Sequence, residues 1–124
     1  TSVRWVELAT QPIVALTRES GIRRLMDIGF EAAEIQLAPA YEVNQIATVL
    51  GMVQAGFGVA VLPTYARAGM LSMKLVSRPM SDPDIGRDIV LIHARGRSIS
   101  PAVSAFTPVL RQALRRLTPR DPVG

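Results

Sequence analysis

Residues 42–63 read EVNQIATVLGMVQAGFGVAVLP, and the spacing of the apolar residues changes within this stretch. From Asn44 to Ala55 they recur at helical spacing, which predicts an amphipathic helix. Gly56 follows and can adopt the left-handed conformation that ends a helix. The continuous apolar run Val59–Leu62, ended by Pro63, is typical of a strand covered on both faces. The stretch therefore predicts a helix that leads into a buried strand.

The same alternation of elements continues toward the amino terminus. Arg4–Ala9 predicts one helical turn, and the apolar run Pro12–Leu16 predicts a buried strand. Helical spacing over Ser20–Gly29 predicts a helix that Ser20 caps and Gly29 closes. Glu34–Leu37 alternates polar and apolar residues, as a strand does. This order predicts an α/β fold: a doubly wound, mainly parallel sheet with flanking helices and right-handed crossovers.

Regular structure is harder to predict after Pro63. Residues 64–86 are rich in proline and glycine and predict loops, with a short turn at Tyr65–Ala68. An edge strand is expected at Lys74–Arg78. The apolar run within Asp88–Ile92 predicts one more strand.

The last predicted element is a helix. Ser100 can cap it and Pro101 suits its first turn, and the residues that follow separate into an apolar and a basic face. Pro108 lies inside the pattern, so we expect either a kink or a start nearer Phe106. Residues 118–124, with two prolines, are expected to form a loose tail.

The composition excludes several classes of protein. The chain has 124 residues, of which 48% are hydrophobic and 19% charged, enough to bury one core. It has no cysteine and one histidine, so disulfides and thiolate metal sites are excluded, and we expect neither metal nor cofactor. The apolar runs are far shorter than the roughly 20 residues that span a bilayer. Since no leader follows Thr1, we expect a cytoplasmic location without membrane contact.

The charge is distributed unevenly. The net charge is +4, but residues 1–94 sum to −1 and residues 95–124 to +5. A basic tail can indicate nucleic-acid binding. Six arginines spread over thirty residues, with Phe106 as the one aromatic residue, fit a solvated helix face better.

The loop after the first predicted strand is the best candidate for a binding site, because open parallel sheets bind ligands at the carboxyl ends of their strands. Thr17, Ser20 and Gly21 lie there, where hydroxyls and the first amides of a helix suit a carboxylate or phosphate. Arg18 and Arg23 could add positive charge. Alternatively, Ser20 is an ordinary helix cap and the arginines are solvated. The sequence leaves both interpretations open.

Catalysis has little support in the sequence. The single His93 lies in a strand-like run, and no Gly-x-Ser-x-Gly motif occurs. Asp82, Asp84 and Asp88 surround a proline, where turn formation explains them better than paired acid–base chemistry. We therefore expect no enzyme, and a hydrolase or transferase is the weaker alternative.

Residues 42–63 resemble a known family. LysR-type transcriptional regulators show an acidic residue and valine, an apolar helix, an Ala-Gly-x-Gly turn and an apolar strand ending in Leu-Pro. Trp5–Pro12 resembles the lead-in to this region, and Arg87–Ile92 with Ser100, Pro101 and Phe106 resembles its closing strand and helix. The resemblance is to the second regulatory subdomain of the effector-binding region.

The resemblance implies half of a fold like that of type 2 periplasmic binding proteins. Residues 1–86 would be the second, effector-binding subdomain. Residues 87–117 would be a return strand and helix that belong to the first subdomain of the intact protein. Such regulators clamp a small effector between the two subdomains, and a solute-binding protein of a transport system is the alternative reading.

The resemblance also implies partners and contacts. We expect a small anionic metabolite as effector, homo-oligomers, and DNA contact only through a winged helix-turn-helix that would precede Thr1. Ile85 could approach the effector beside the last of the implied contacts. Those contacts are Thr17, Arg18, Ser20, Gly21, Tyr41, Glu42, Val43 and Gly86.

Overall fold

The structure is a computed structural model and describes residues 1–117, so the predicted tail at 118–124 lies outside the described residues. The chain divides into two compact units, Thr1–Gly86 and a second that begins at Arg87. Short 3-10 helices occupy Trp5–Leu8 and Thr64–Met70. The remaining elements are β1 Val3–Arg4, β2 Val14–Leu16, α1 Gly21–Ala32, β3 Tyr41–Val43, α2 Ile46–Gln54, β4 Met80–Ser81 and α3 Pro101–Leu117.

The pairing around β2 is parallel, as predicted. β2 pairs with β3 in parallel, and Leu16 lies opposite Val43. On the other side of β2, Ile13 forms an isolated parallel bridge with Val59. β1 and β4 form a second parallel pair. The prediction of a parallel α/β arrangement is confirmed.

Helices cover β2 on both faces because its side chains alternate in direction. Ile13 and Ala15 pack in one buried cluster with Met26 and Phe30 of α1. Val14 and Leu16 of β2 face the opposite side and pack with Val49 of α2. This arrangement confirms the predicted doubly wound layout and explains why the apolar run is continuous.

The second strand does not lie where the sequence predicted it. Glu34–Leu37 contains no strand, and the strand beside β2 is Tyr41–Val43. The alternation of Glu34–Leu37 has another cause, because Ile35 and Leu37 pack against the buried cluster under α1 without joining a ladder. The alternation therefore predicted correctly which side chains of this segment pack on the core, but the strand hydrogen bonds that it predicted do not form.

Three other strand predictions also need correction. Lys74–Arg78 is not a strand, and the short strand of that region is Met80–Ser81. Val59–Leu62 packs its side chains alternately against the two buried clusters on either face of β2, but its pairing is reduced to the single bridge at Val59. Asp88–Ile92 forms no strand among residues 1–117, and its apolar side chains are exposed.

Two helix ends show how the turns are built. α1 continues past Gly29 to Ala32, and Glu34 then adopts a left-handed conformation with φ 58°. The Ile35 N–H donates to the Phe30 carbonyl at 2.9 Å, which completes a Schellman turn. At the end of α2, Gly56 takes the same role with φ 86°, as predicted. Gly29 was therefore wrongly assigned as the end of a helix.

Gly29 instead makes room for Trp5. A Cβ atom at Gly29 would overlap the Trp5 ring, so the position requires glycine. The ring packs edge-on against Phe30, with centroids 5.5 Å apart. Its Nε1 donates to the Pro83 carbonyl at 2.8 Å. The predicted turn at Arg4–Ala9 is thus confirmed, and it places the Trp5 side chain in the buried core of the unit.

The second unit contains the predicted terminal helix. α3 begins at Pro101, and the Ser100 hydroxyl accepts a hydrogen bond from the Val103 N–H. The helix includes Pro108, so the alternative start nearer Phe106 is wrong. Its apolar residues Val103, Phe106 and Val109 are exposed.

Candidate functional site

The carboxyl ends of β2 and β3 bring together two of the predicted contact segments. Leu16 ends β2 opposite Val43, and the Thr17 N–H then donates to the Val43 carbonyl at 2.9 Å. The Thr17–Gly21 turn therefore leaves the sheet directly beside Glu42 and Val43. This adjacency follows from parallel pairing, which places equivalent strand ends at one edge.

The turn itself is an N-terminal helix cap. Ser20 N–H donates to the Thr17 carbonyl at 3.0 Å, and the Ser20 hydroxyl accepts from the Ile22 N–H at 3.2 Å. Thr17 and Ser20 are half-buried, while Arg18, Glu19 and Gly21 are exposed. The capping role is real, and it leaves the Ser20 hydroxyl proton available as a donor.

Glu19 adds a negative charge to the same turn. Its pKa is lowered, first by a hydrogen bond to its own backbone and then by the Thr17 side chain. The carboxylate is fully exposed. The turn therefore presents one exposed arginine and one exposed carboxylate side by side.

Arg23 does not serve as a free positive charge, which was one of the sequence-based options. Its side chain is 2% exposed and pairs with Asp27 and Glu42, each at 2.9 Å. Burial alone would lower the pKa of the guanidinium, but the hydrogen bonds to Asp27 and Glu42 outweigh it, and the pKa lies above its ordinary value. The Arg23–Asp27 spacing of four residues could have indicated this pair in the sequence.

Tyr41 and Gly86 lie apart from this group. Tyr41 pairs with Val14 at the amino end of the strands, and its ring packs edge-on against Phe57 at 5.4 Å. Gly86 is exposed, and beyond its two chain neighbours no residue comes within 4 Å of where a Cβ would stand. Neither residue has a described contact with the Thr17–Gly21 turn.

A shallow depression of about 460 Å³ lies on the α1 side of the first unit. Of the predicted contact residues it includes Arg18 alone. Its apolar floor comes from Phe30, Ile35 and Leu37, and its remaining lining is Arg23, Asp27, Glu31 and Gln36. Within residues 1–117, no group of three acidic or histidine side chains is arranged to hold a metal ion.

Comparison with known proteins adds the family. The LysR substrate binding domain matches residues 1–115. The chain is 30% identical over 108 residues to the uncharacterized HTH-type transcriptional regulator YbhD of Escherichia coli (strain K12), covering 87% of this chain and 34% of that protein. It is 31% identical over 109 residues to the uncharacterized HTH-type transcriptional regulator YfeR of Shigella flexneri, covering 88% and 35%.

A further relative shows a similar identity and coverage. The uncharacterized HTH-type transcriptional regulator YybE of Bacillus subtilis (strain 168) is 30% identical over 105 residues, covering 85% of this chain and 35% of that protein. The chain thus spans about a third of the length of these relatives. No helix within residues 1–117 is both long and apolar enough to cross a membrane.

The parallel, doubly wound sheet with its flanking helices is an α/β fold of the type 2 periplasmic-binding-protein kind. The chain belongs to the family of LysR substrate-binding domains. The names of its relatives as transcriptional regulators do not favour the transport alternative.

Proposed function

We propose that this chain senses a small-molecule effector as part of a LysR-type transcriptional regulator. The observation that carries the proposal is the exposed Thr17–Gly21 turn, held at the carboxyl ends of two parallel strands and leading into α1. Ligands of such sheets bind at this edge. The effector changes the conformation of the longer protein, and no chemical step on the effector is involved.

The chemistry of the turn favours an anionic effector, such as a small carboxylate. The positive end of the α1 dipole lies at Ser20, whose hydroxyl can donate to a carboxylate oxygen. The Thr17 hydroxyl binds the Glu19 carboxylate and would reach the effector by exchanging that bond. Arg18 is exposed beside them. We propose Thr17, Arg18, Ser20, Gly21, Glu42 and Val43 as the contacts from this unit.

The rest of the binding site would come from the longer protein. The relatives are about three times the length of this chain, which leaves room for a second lobe and a DNA-binding domain. In our proposal, residues 87–117 belong to that second lobe. Their exposed apolar side chains, including Ile92 and Phe106, support this assignment because such side chains need a partner surface.

The proposal includes what the whole protein does. Effector binding closes the two lobes, and the difference in contacts between open and closed forms changes the arrangement of a homo-oligomer on DNA. We propose a cytoplasmic location, where the regulated genes and a metabolite are both available.

A thermal-shift screen of the full-length regulator with succinate, citrate and benzoate tests the proposal. Ser20→Ala removes both cap and donor, whereas Ser20→Asp keeps the cap and adds a charge that repels an anion. We expect at least one carboxylate to raise the melting temperature of the wild type and to lose that effect in Ser20→Asp and in Thr17→Ala.

Ser77→Ala, an exposed serine in a loop of the same unit, is the matched control and should keep the response. An undiminished response in both Ser20→Asp and Thr17→Ala would remove the turn from the site. A wild type that none of the three carboxylates stabilises would contradict the anionic class.

A further inference from the structure

Arg23 is a buried charge, which makes its position dependent on its partners. Nε donates to Asp27 Oδ1 at 2.9 Å, and Nη1 donates to the Leu16 carbonyl at 3.0 Å and to Glu42 Oε1 at 2.9 Å. A guanidinium removed from water is stable only when its N–H groups are paired. The side chain is therefore held in one place from three directions.

The three partners belong to three different elements. Leu16 is the last residue of β2, Glu42 lies in β3, and Asp27 lies one turn further along α1. The turn to α1 begins at Thr17, whose N–H is bound to the Val43 carbonyl. Arg23 and the Thr17 amide thus fix the departure of the turn from β2, one through side chains and one through the backbone.

The partners differ in how they would respond to the loss of Arg23. The side chains of Asp27 and Glu42 are 47% and 42% exposed, so water can solvate their carboxylates. Leu16 is 4% exposed, and its carbonyl would lose the Arg23 hydrogen bond in a buried position. The result would be a weakened strand end and a Glu42 side chain that is free to change rotamer.

We propose that Arg23 is the positioning residue of the effector-binding end of this unit. It holds Glu42 and the Leu16 carbonyl at a fixed separation, so that Glu42 and the Thr17–Gly21 turn present one geometry to the effector. The part that concerns the effector rests on the proposed function. Arginine is required because its planar fork reaches the helix, the strand end and the neighbouring strand together, which an ammonium group on one flexible stem does not.

Arg23→Lys in the full-length regulator tests the proposal, with Arg24→Lys as the matched control. Arg24 is the exposed neighbour on the same helix. We expect Arg23→Lys to speed amide hydrogen exchange in peptides covering Thr17–Gly21 by about tenfold, the scale of one lost hydrogen bond. Arg24→Lys should leave that exchange unchanged.

The effector readout uses the carboxylate of the thermal-shift panel that stabilises the wild type most. Arg23→Lys should raise its half-saturating concentration by about fivefold, the scale of one net hydrogen bond. Because Arg23 acts through Glu42, the effects of Arg23→Lys and Glu42→Gln should be less than additive in the double variant. Full additivity would overturn the proposed route through Glu42.

The two readouts separate the two proposals. Unchanged exchange at Thr17–Gly21 in a folded Arg23→Lys protein overturns the positioning role. If none of the three carboxylates stabilises the wild type, the anionic class fails while the exchange measurement still decides the positioning role. Should Arg23→Lys fail to fold, Glu42→Ala is compared with Glu31→Ala: faster exchange at the turn in the former alone supports positioning, and equal exchange overturns it.

Discussion

The two units of the chain contain similar apolar runs with opposite burial. In the first unit, Ile13–Leu16 are 1% to 4% exposed, with parallel partners on both sides and a helix on each face. In the second unit, Ile89–Ile92 are 53% to 83% exposed and join no ladder within residues 1–117. The comparison shows that an apolar run indicates a segment that needs a partner surface. Whether the run is buried depends on which other segments of the protein are present to cover it.

The largest effect expected from this comparison is on two aromatic residues. Trp5→Ala removes a side chain that is 2% exposed, its packing on Phe30 and its bond to Pro83, and should lower the free energy of unfolding by about 3–5 kcal/mol. Phe106→Ala, at a position 58% exposed, should change it by no more than about 0.5 kcal/mol. Denaturant unfolding of the 124-residue chain, followed by circular dichroism, measures both values.

Equal losses of unfolding free energy in the two variants would contradict the difference in burial between the two units, since Phe106 would then be buried in solution. Phe106→Ala in the full-length regulator provides a second test of that difference. There we expect a loss of more than about 1 kcal/mol, because the proposed second lobe would cover the α3 face. A neutral effect in the full-length protein would contradict the assignment of residues 87–117 to that lobe.

A smaller effect is expected on association. With its apolar strand-like run and α3 face exposed, the 124-residue chain should self-associate at high concentration, and exchange of these elements between copies is one route. Ile92→Lys combined with Phe106→Lys should weaken association by about tenfold, near 1.4 kcal/mol. Light scattering over a concentration series measures the change.

Leu71→Lys provides the control for added charge. Leu71 is 90% exposed but lies in the first unit, so the same substitution there should leave association nearly unchanged. A wild-type chain that stays monomeric at high concentration would show that the exposed run is solvated without a partner.

The sequence predicted the layers of this fold better than its hydrogen bonds. Burial follows side-chain chemistry, so the apolar pattern identified β2, α1 and α2 as elements of a doubly wound layout. Strand pairing depends on which backbones meet, and so Glu34–Leu37 was assigned to a strand while Tyr41–Val43 was overlooked. The short strand at Met80–Ser81 was beyond reach for the same reason, because its partner is Val3–Arg4, almost the whole length of the unit away.

The candidate site was predictable in part. The rule that ligands bind at parallel strand ends identified the Thr17–Gly21 turn, whereas Glu42 and Val43 came from the family resemblance. The observed register places both segments at one edge and puts Tyr41 at the other end of the strand. The network of Arg23 was missed because its contact with Glu42 spans 19 positions of the sequence. Only the local half, the Arg23–Asp27 spacing, was visible in advance.

The smallest expected effect concerns the Schellman turn after α1. Glu34 holds a left-handed φ of 58°, which costs a residue with a Cβ about 1 kcal/mol relative to glycine. Glu34→Gly should therefore raise the free energy of unfolding by up to that amount, whereas Gly56→Ala, at the equivalent position after α2, should lower it similarly.

If the two units are stabilised independently, hydrogen exchange should slow in α1 of Glu34→Gly and stay unchanged in α3. Equal slowing in both helices would mean that the stability of the second unit depends on that of the first. The two apolar runs would then differ in exposure, although the two units unfold together.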